Sequence, residues 1–527
     1  MQYADFVLHV KHVSRIDIET MNQLQCNNNH HLQQWLRAQR WLLEPANYKA
    51  VPARTADGTP YAHLLPEHVQ LLEQHGIVMP VHKCDVRGHV KMFLVAEPDK
   101  RRLRPIKHTL LANTYLGKET LQSCPLPLKY DITSAVNAGE YMLQVDFSSY
   151  FDQFQLSTDV GEMFCFRSGN KYYRLNTLAM GQRQAVEVAQ TASRLLLDFP
   201  DKKSSKSMAY IDNVVFIGTR EGVIADATTF VERVKSVGGQ LNEDTTDLAA
   251  LVRTSDVYGG IHMDLTNKTT RLADKTITKL KYSWARRESW TWRNFAAHIG
   301  LLMWANGIID TDMCQHFTVL RFVSRVGSLM QSEDDKRWDD TAVVWPSVWA
   351  PLAAWTALVE QNKPRFVPVE SEPEWLLEVD ASSWGWGYIA VNTITGEVRT
   401  HGERWSFGFR RLHGYKLRRS TFTEPHGLHN SLCHLLSLDG PRSVRIATDS
   451  TVTRASFERG FNTHSVDIND VLKKTRAFFG GMFKFDVMHI SGTTNNADGQ
   501  SRGRGALAPA ELAEAAESLR RKLGTGR

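Results

Sequence analysis

The sequence predicts an α/β (α+β) chain built from two separate mixed units, and three observations carry that expectation. Short apolar runs alternate with helical periods from about residue 60 to 265, and again from about 374 to 505. A basic, helical stretch from about 266 to 335 and a Trp-rich one after it keep the two apart. The length of 527 residues suits three or four domains at ~150 residues each, and 42% hydrophobic with 23% charged residues excludes a largely disordered chain.

Taken in order, residues 1–60 read as an N-terminal extension. They hold a polar NNNHH tract, whose histidines read as solvated linker, and the short helical pattern LQQWLRAQRWLL. The opening MQYADFVLHVKHVSR mixes Asp and Lys into its apolar residues and has no signal-peptide h-region. Residues 61–265 form the first α/β unit and 266–335 a helical unit, closed by the charged break SEDDKRWDD. A connection spans 336–373 and ends in the Pro- and Glu-bearing link KPRFVPVESEPE. Within it, Thr341 to Val359 is free of charge and long enough to cross a bilayer. Pro346, Pro351 and the spacing of Trp345, Trp349 and Trp355 mark it instead as a buried inter-domain segment. The second α/β unit covers 374–505, and 506–527 form a C-terminal helix and tail.

Lys+Arg 63 against Asp+Glu 57 gives a mild +6, so clustering of the basic residues matters more than their sum. Six scattered cysteines with no CxxC pair form neither a zinc motif nor a disulfide framework. The expectation is a soluble intracellular protein, cytoplasmic or nuclear, with no membrane partner.

Two sets of acidic residues carry chemistry. In the first, the apolar run of YMLQVDFSSYFDQFQL ends on Asp146. Further on, SMAYIDNVVFIG sets Asp212 and Asn213 between two apolar runs. Taken alone this box is a β-hairpin turn, since Asp and Asn tolerate φ > 0. If neighbouring strands bring Asp146 and Asp212 together, their carboxylates suit Mg²⁺, and two such ions ~4 Å apart serve nucleotidyl transfer. Between the aspartates, YYRLNTLAMGQRQAVEVAQTASRLLL places a Gly turn before a long helix.

This order resembles the palm of reverse transcriptases of retrotransposons and retroviruses, over roughly residues 75–265. Asp146 matches the first motif's aspartate, LAMGQ the loop before the motif helix, and Tyr210-Ile211-Asp212-Asn213 the catalytic box. VYGG at 257–260 looks like the primer-grip turn, and QLN at 240–242 the motif before it. In MFLVAEPDKRRLRPIKHTLLAN, similar to the fingers segment, the family's triphosphate-contacting arginine falls on Arg104. The resemblance implies that Phe151, five residues after Asp146, is the steric gate that selects deoxynucleotides, and that Met180 and Gly181 line the templating pocket. It implies Asp146, Asp212 and Asn213 as metal ligands and Tyr210 as a substrate contact. Two departures are visible: Asn213 stands where the family's second Asp is usual, and NEDTTD lacks the lysine expected after QLN. An amide oxygen ligates without charge, so metal affinity should fall somewhat.

In the second set, EWLLEVDASSWGWGYIAVN ends its first run at Asp380, and Thr423 in STFTEPHGLHNSLCHLL caps a helix whose first turn holds Glu424 and Pro425. SVRIATDSTVTRASFERG delivers Asp449 at a strand end, and HISGTTNNADGQSR puts Asp498 at a helix start. Individually each reads as a surface or capping residue. Four in this arrangement are costly if buried unpaired. The order Asp–Glu–Asp–Asp resembles a ribonuclease H domain over about 374–505, which implies Asp380, Glu424, Asp449 and Asp498 as catalytic metal ligands for cleaving RNA paired to DNA. The family's flexible-loop histidine has no counterpart in SGTTN, and His489 before it reads as a core or surface residue.

From Lys268 to Arg293, eight Lys/Arg face two acids, interleaved with Tyr282, Trp284, Trp290 and Trp292. This reads either as a solvated amphipathic helix or as a thumb that neutralises phosphates. FRRLHGYKLRR at 409–419 is a second basic run. The resemblance thus implies a right-hand polymerase (fingers, palm, thumb), a connection and a ribonuclease H domain. The implied activity is RNA- and DNA-directed DNA synthesis plus hybrid cleavage, using two Mg²⁺ per active site (Mn²⁺ as the alternative), an RNA template, a DNA primer, the RNA–DNA hybrid and dNTPs. The wording DASSWGWG and ADGQSR looks most like retrotransposons of the DIRS or tyrosine-recombinase type, including VIPER elements, with Ty-gypsy relatives next. An RNA-dependent RNA polymerase would want a small residue at 151 and no nuclease, and a non-catalytic binding subunit would have lost its aspartates.

Overall fold

The computed structural model describes residues 6–52, 64–116, 122, 124–200, 205–331, 335–369, 372–437, 443–479 and 486–524. Ser332 to Asp334 of the charged break, and residues 370–371 of the Pro- and Glu-bearing link, lie outside them. The chain is α/β and divides into two compact units, Met1–Gly259 with Met263–Asn267, and Gly260–His262 with Lys268–Arg527.

The first unit is organised around an antiparallel sheet in which Asn213–Gly218 lies between Tyr141–Asp146 and Lys206–Tyr210. Alternate apolar residues of these strands, Leu143, Val145, Val214 and Phe216, pack with Val188, Ala192 and Leu195 of helix Ala185–Leu197 and with Phe230 and Val234 of helix Arg220–Ser236. A second hairpin, Lys91–Glu97 with Arg102–His108, turns through Pro98–Arg101, where Arg101 takes φ 47°. Residues 6–52 join this core. Met21, Trp35, Trp41 and Leu42 are fully buried in it, and Val7–Leu8 pairs in parallel with Arg102–Leu103. Nor is His31 solvated linker, for its side chain is 19% exposed and sits 3.2 Å from Asp198.

The second unit opens with helices Asp274–Ala285, Trp292–Ala305, Phe317–Gln331 and Pro346–Glu360. Of the aromatics interleaved with the basic residues, Trp290 is buried, donates its indole N–H to the Ser283 carbonyl and stacks with Trp349. Trp284 stacks on His298, and of the four only Tyr282, 57% exposed, is open to solvent. The charge-free stretch forms the Pro346–Glu360 helix, whose Val348, Leu352, Trp355 and Val359 are buried. No helix among the described residues is long and apolar enough to cross a membrane.

Beyond it lies a five-stranded mixed sheet in the order Val398–Arg404, Gly385–Asn392, Trp375–Ala381, Val444–Thr448, Asp486–His489. The first three strands are antiparallel and the last two join in parallel. Trp375, Leu377 and Val379 face helix Ser420–Leu436, while Leu376, Val391 and Ala447 face helix Pro509–Leu523 through Ala516, Leu519 and Leu523. Both faces are therefore covered, and chemistry is left to the strand ends.

Candidate active sites

In the first unit, Asp146 is the last residue of its strand and lies directly across from Asn213. Asp212 sits in the connecting turn, its carbonyl accepting the Phe147 N–H at 2.9 Å. The hairpin forms as expected, but the residue with φ > 0 is Ile211, at 58°, not Asp212 or Asn213. A β-branched residue there costs ~1–3 kcal/mol, and helix Ala185–Leu197 holds it. The Ile211 N–H donates to Gln190 Oε1 at 2.7 Å, and Ser193 Oγ donates to the Ile211 carbonyl at 2.6 Å. Neither residue was legible as functional in the sequence, because each acts from a helix some twenty residues away.

Burial raises both aspartates, and the neighbouring Asp212 helps push Asp146 up to about 6. Asn242 Nδ2 donates to Asp146 Oδ2 at 3.0 Å, and Lys11 from the N-terminal segment donates to Asn242 Oδ1 at 3.0 Å. Lys11 thus stands beside the QLN segment, which no lysine directly follows in sequence. The buried Asn213 Oδ1 has no hydrogen-bond partner among the described residues, as suits an oxygen left for a ligand.

Phe151 lies in the short turn Tyr150–Gln153, half-buried against the core. Met180, Gly181 and Tyr210 are exposed around the site's surroundings in sequence, Met180 by 53%. Arg104 forms an ion pair with Glu97 at 3.0 Å.

The second unit brings Asp380, Glu424 and Asp449 together, with one carboxylate oxygen from each within 4.8 Å of the others. Helix Ser420–Leu436 starts one turn earlier than the sequence suggests. Thr423 is not its cap but returns its hydroxyl to the Arg419 carbonyl, so Glu424 and Pro425 lie beyond the first turn. Gly427 lets that helix touch the sheet, since a Cβ there would sit 2.6 Å from Ala381 Cβ. Burial and the Asp380 and Asp449 charges raise Glu424 to about 9, while burial raises Asp380 to about 6. Glu424 Oε2 is buried without a partner. Asn495 Nδ2 donates to Asp380 Oδ1 at 3.2 Å, and Ser501 Oγ donates to its other oxygen.

Asp498 stands outside the three-carboxylate group. Its side chain is 47% exposed and bonds Arg502 at 2.8–3.0 Å. His489 Nε2 lies 3.1 Å from the Asp449 carbonyl. Three converging carboxylates, one with an orphan oxygen, fit a hard divalent cation that takes oxygen ligands.

No family model matches the sequence, and no curated protein matches it. Among solved structures the chain is similar to foamy viral protease-reverse transcriptase. In the complex of its dRH form with double-stranded DNA, the TM-score is 0.48 at 12% identity, covering 92% of this chain and 83% of that one. The complex with dsDNA gives 0.47 at 11%, covering 92% and 99%. The complex with an RNA/DNA hybrid gives 0.47 at 11%, covering 95% and 66%.

Proposed function

We propose that the chain is a reverse transcriptase with a ribonuclease H activity, serving replication of a retrotransposon of the DIRS or a related type. The observation that carries this reading is the presence of two carboxylate groups in separate units: Asp146 with Asp212 and Asn213, and Asp380 with Glu424 and Asp449. Asp146, Asp212 and Asn213 would hold Mg²⁺ at the first, and Asp380, Glu424 and Asp449 at the second, with Asp498 joining them only on release from Arg502. When bound, the ions supply charge stabilisation for phosphoryl transfer.

The chain's own residues do the rest. The Gln190–Ile211–Ser193 clamp fixes the box that carries Asp212 and presents Tyr210. Phe151 bars a 2′-hydroxyl, Met180 and Gly181 border the template base, and Arg104 exchanges Glu97 for a triphosphate. On helix Asp274–Ala285, Lys275, Lys279 and Tyr282 share one exposed face, and Arg286 just past its end stacks 3.8 Å over Tyr282. That face meets the phosphates of an RNA template and DNA primer, so binding weakens steeply with salt. Asn495 and Ser501 hold the Asp380 carboxylate from either side.

The test is primer extension on RNA with Mg²⁺ and dNTPs, following DNA growth and RNA loss together. Asp212→Asn should abolish synthesis and spare hybrid cleavage, and Asp449→Asn should do the reverse. Mutants that fail to separate the two activities overturn the two-site reading.

A further inference from the structure

Glu378 precedes Asp380 by two residues on strand Trp375–Ala381, so both side chains leave the same face of the sheet. Its side chain is 0% exposed. Lys522 Nζ reaches Oε1 at 2.9 Å, the Asn496 N–H reaches the same oxygen at 3.1 Å, and Asn496 Nδ2 donates to Oε2 at 2.9 Å. Lys522 projects from helix Pro509–Leu523 and also donates to the Thr494 carbonyl. These bonds therefore grip the loop at 494 and 496, on either side of Asn495, which itself binds Asp380.

We propose that Lys522, Glu378 and Asn496 form a latch by which the C-terminal helix positions the loop of the second carboxylate site. The proposal rests on reading that site as a hybrid-cleaving ribonuclease. The helix already packs on the sheet through Ala516, Leu519 and Leu523, so the ion pair is not needed to hold it there. A buried ion pair adds little net stability over an apolar pair of similar size, but it fixes geometry, and losing one partner strands the other charge. The geometry it fixes is that of the site. Gly492 approaches Asp449 so closely that a Cβ on it would lie 2.9 Å from Oδ2, Asn495 bonds Asp380, and Asp498 follows directly. A shift of this loop moves all three together.

Lys522 is a positioning residue, and Lys522→Gln is the perturbation. Hybrid cleavage should fall about 10- to 100-fold, as misplacement by about 1 Å does elsewhere. The loss should be deepest at limiting Mg²⁺, with primer extension unchanged. The double variant Glu378→Gln with Lys522→Gln removes both charges and keeps amide hydrogen bonding, so cleavage should return to within about threefold of wild type. Amide hydrogen exchange over residues 490–498 gives a readout independent of activity: faster in Lys522→Gln, restored in the double variant. Wild-type cleavage by a folded Lys522→Gln protein, or unchanged exchange in that loop, overturns the latch. A wild-type chain that cleaves no hybrid overturns the ribonuclease reading instead, and the exchange comparison still decides the latch. Should Lys522→Gln fail to fold, Asn496→Ala measured in the same two ways replaces it.

Discussion

Replacing Gly427 with alanine tests the second site through a single methyl group. The added Cβ would lie 2.6 Å from Ala381 Cβ, 3.4 Å from Trp386 Cβ and 3.5 Å from the Asp380 carbonyl oxygen. Carbon atoms settle at about 3.5–4.0 Å, so helix Ser420–Leu436 and the strand must part by about 1 Å. Overpacking costs about 1–3 kcal/mol, against about 1 kcal/mol gained because alanine favours the helix, which leaves a net loss of about 0–2 kcal/mol. Stability therefore changes little. Activity should not follow it, because Glu424 lies one turn away on the same helix and its distance from Asp380 grows with the gap. A displacement of about 1 Å predicts a fall in hybrid cleavage of about 100-fold, with DNA synthesis unaffected. The assay is a labelled RNA–DNA hybrid and a primed RNA template given to the same preparation, beside urea unfolding. Ala381→Gly added to Gly427→Ala removes the opposing methyl group and should restore cleavage. Wild-type cleavage by a folded Gly427→Ala protein, or no recovery in the double variant, refutes the claim that this contact sets the carboxylate geometry.

Glu424, at about 9 in the folded state against 4.5 for the free side chain, binds a proton that the unfolded chain releases between those values. Without metal, the Glu424 contribution to stability should therefore be fully present below pH 4.5 and be lost as pH rises towards 9, and Glu424→Gln should flatten that slope in urea unfolding at pH 6 and pH 8.5. An unaltered slope removes Glu424 as its cause. Lys11→Ala should slow primer extension about threefold to tenfold and leave hybrid cleavage untouched, since Lys11 meets only the first site, through Asn242. Equal loss of both activities would show a general defect.

That Asp146 would end a strand and Asp449 follow one was legible because an apolar run closing on a charged residue is a local pattern. The hairpin at 210–213 was legible too, but its strained residue was not. Turn propensity favours Asp212 or Asn213 for φ > 0, whereas Gln190 and Ser193 force it onto Ile211, and no local rule sees a clamp from another element. Pro425 misled in the same way. Proline inside a helix suggested a start just before it, yet the buried run of Phe422, Pro425, Leu428 and Leu432 holds the helix from Ser420 onward. Trp284 and Trp290 read as surface aromatics because they sit among lysines and arginines. Trp290 is buried and Trp284 half-buried because they meet His298 on the next helix and Trp349 much further along the chain.

Those misreadings share a physical origin with the chemistry. Ile211 in left-handed backbone, Glu424 with an unpartnered oxygen, and Asp380 beside two further acids are each unfavourable alone. Two of them are held by groups whose bonds converge on them: Gln190 and Ser193 on Ile211, Asn495 and Ser501 on Asp380. A fold selected for stability alone would relax these positions by replacing a single residue at each. Three such positions, in a turn, near a strand end and early in a helix, fit the two cation-binding sites proposed above.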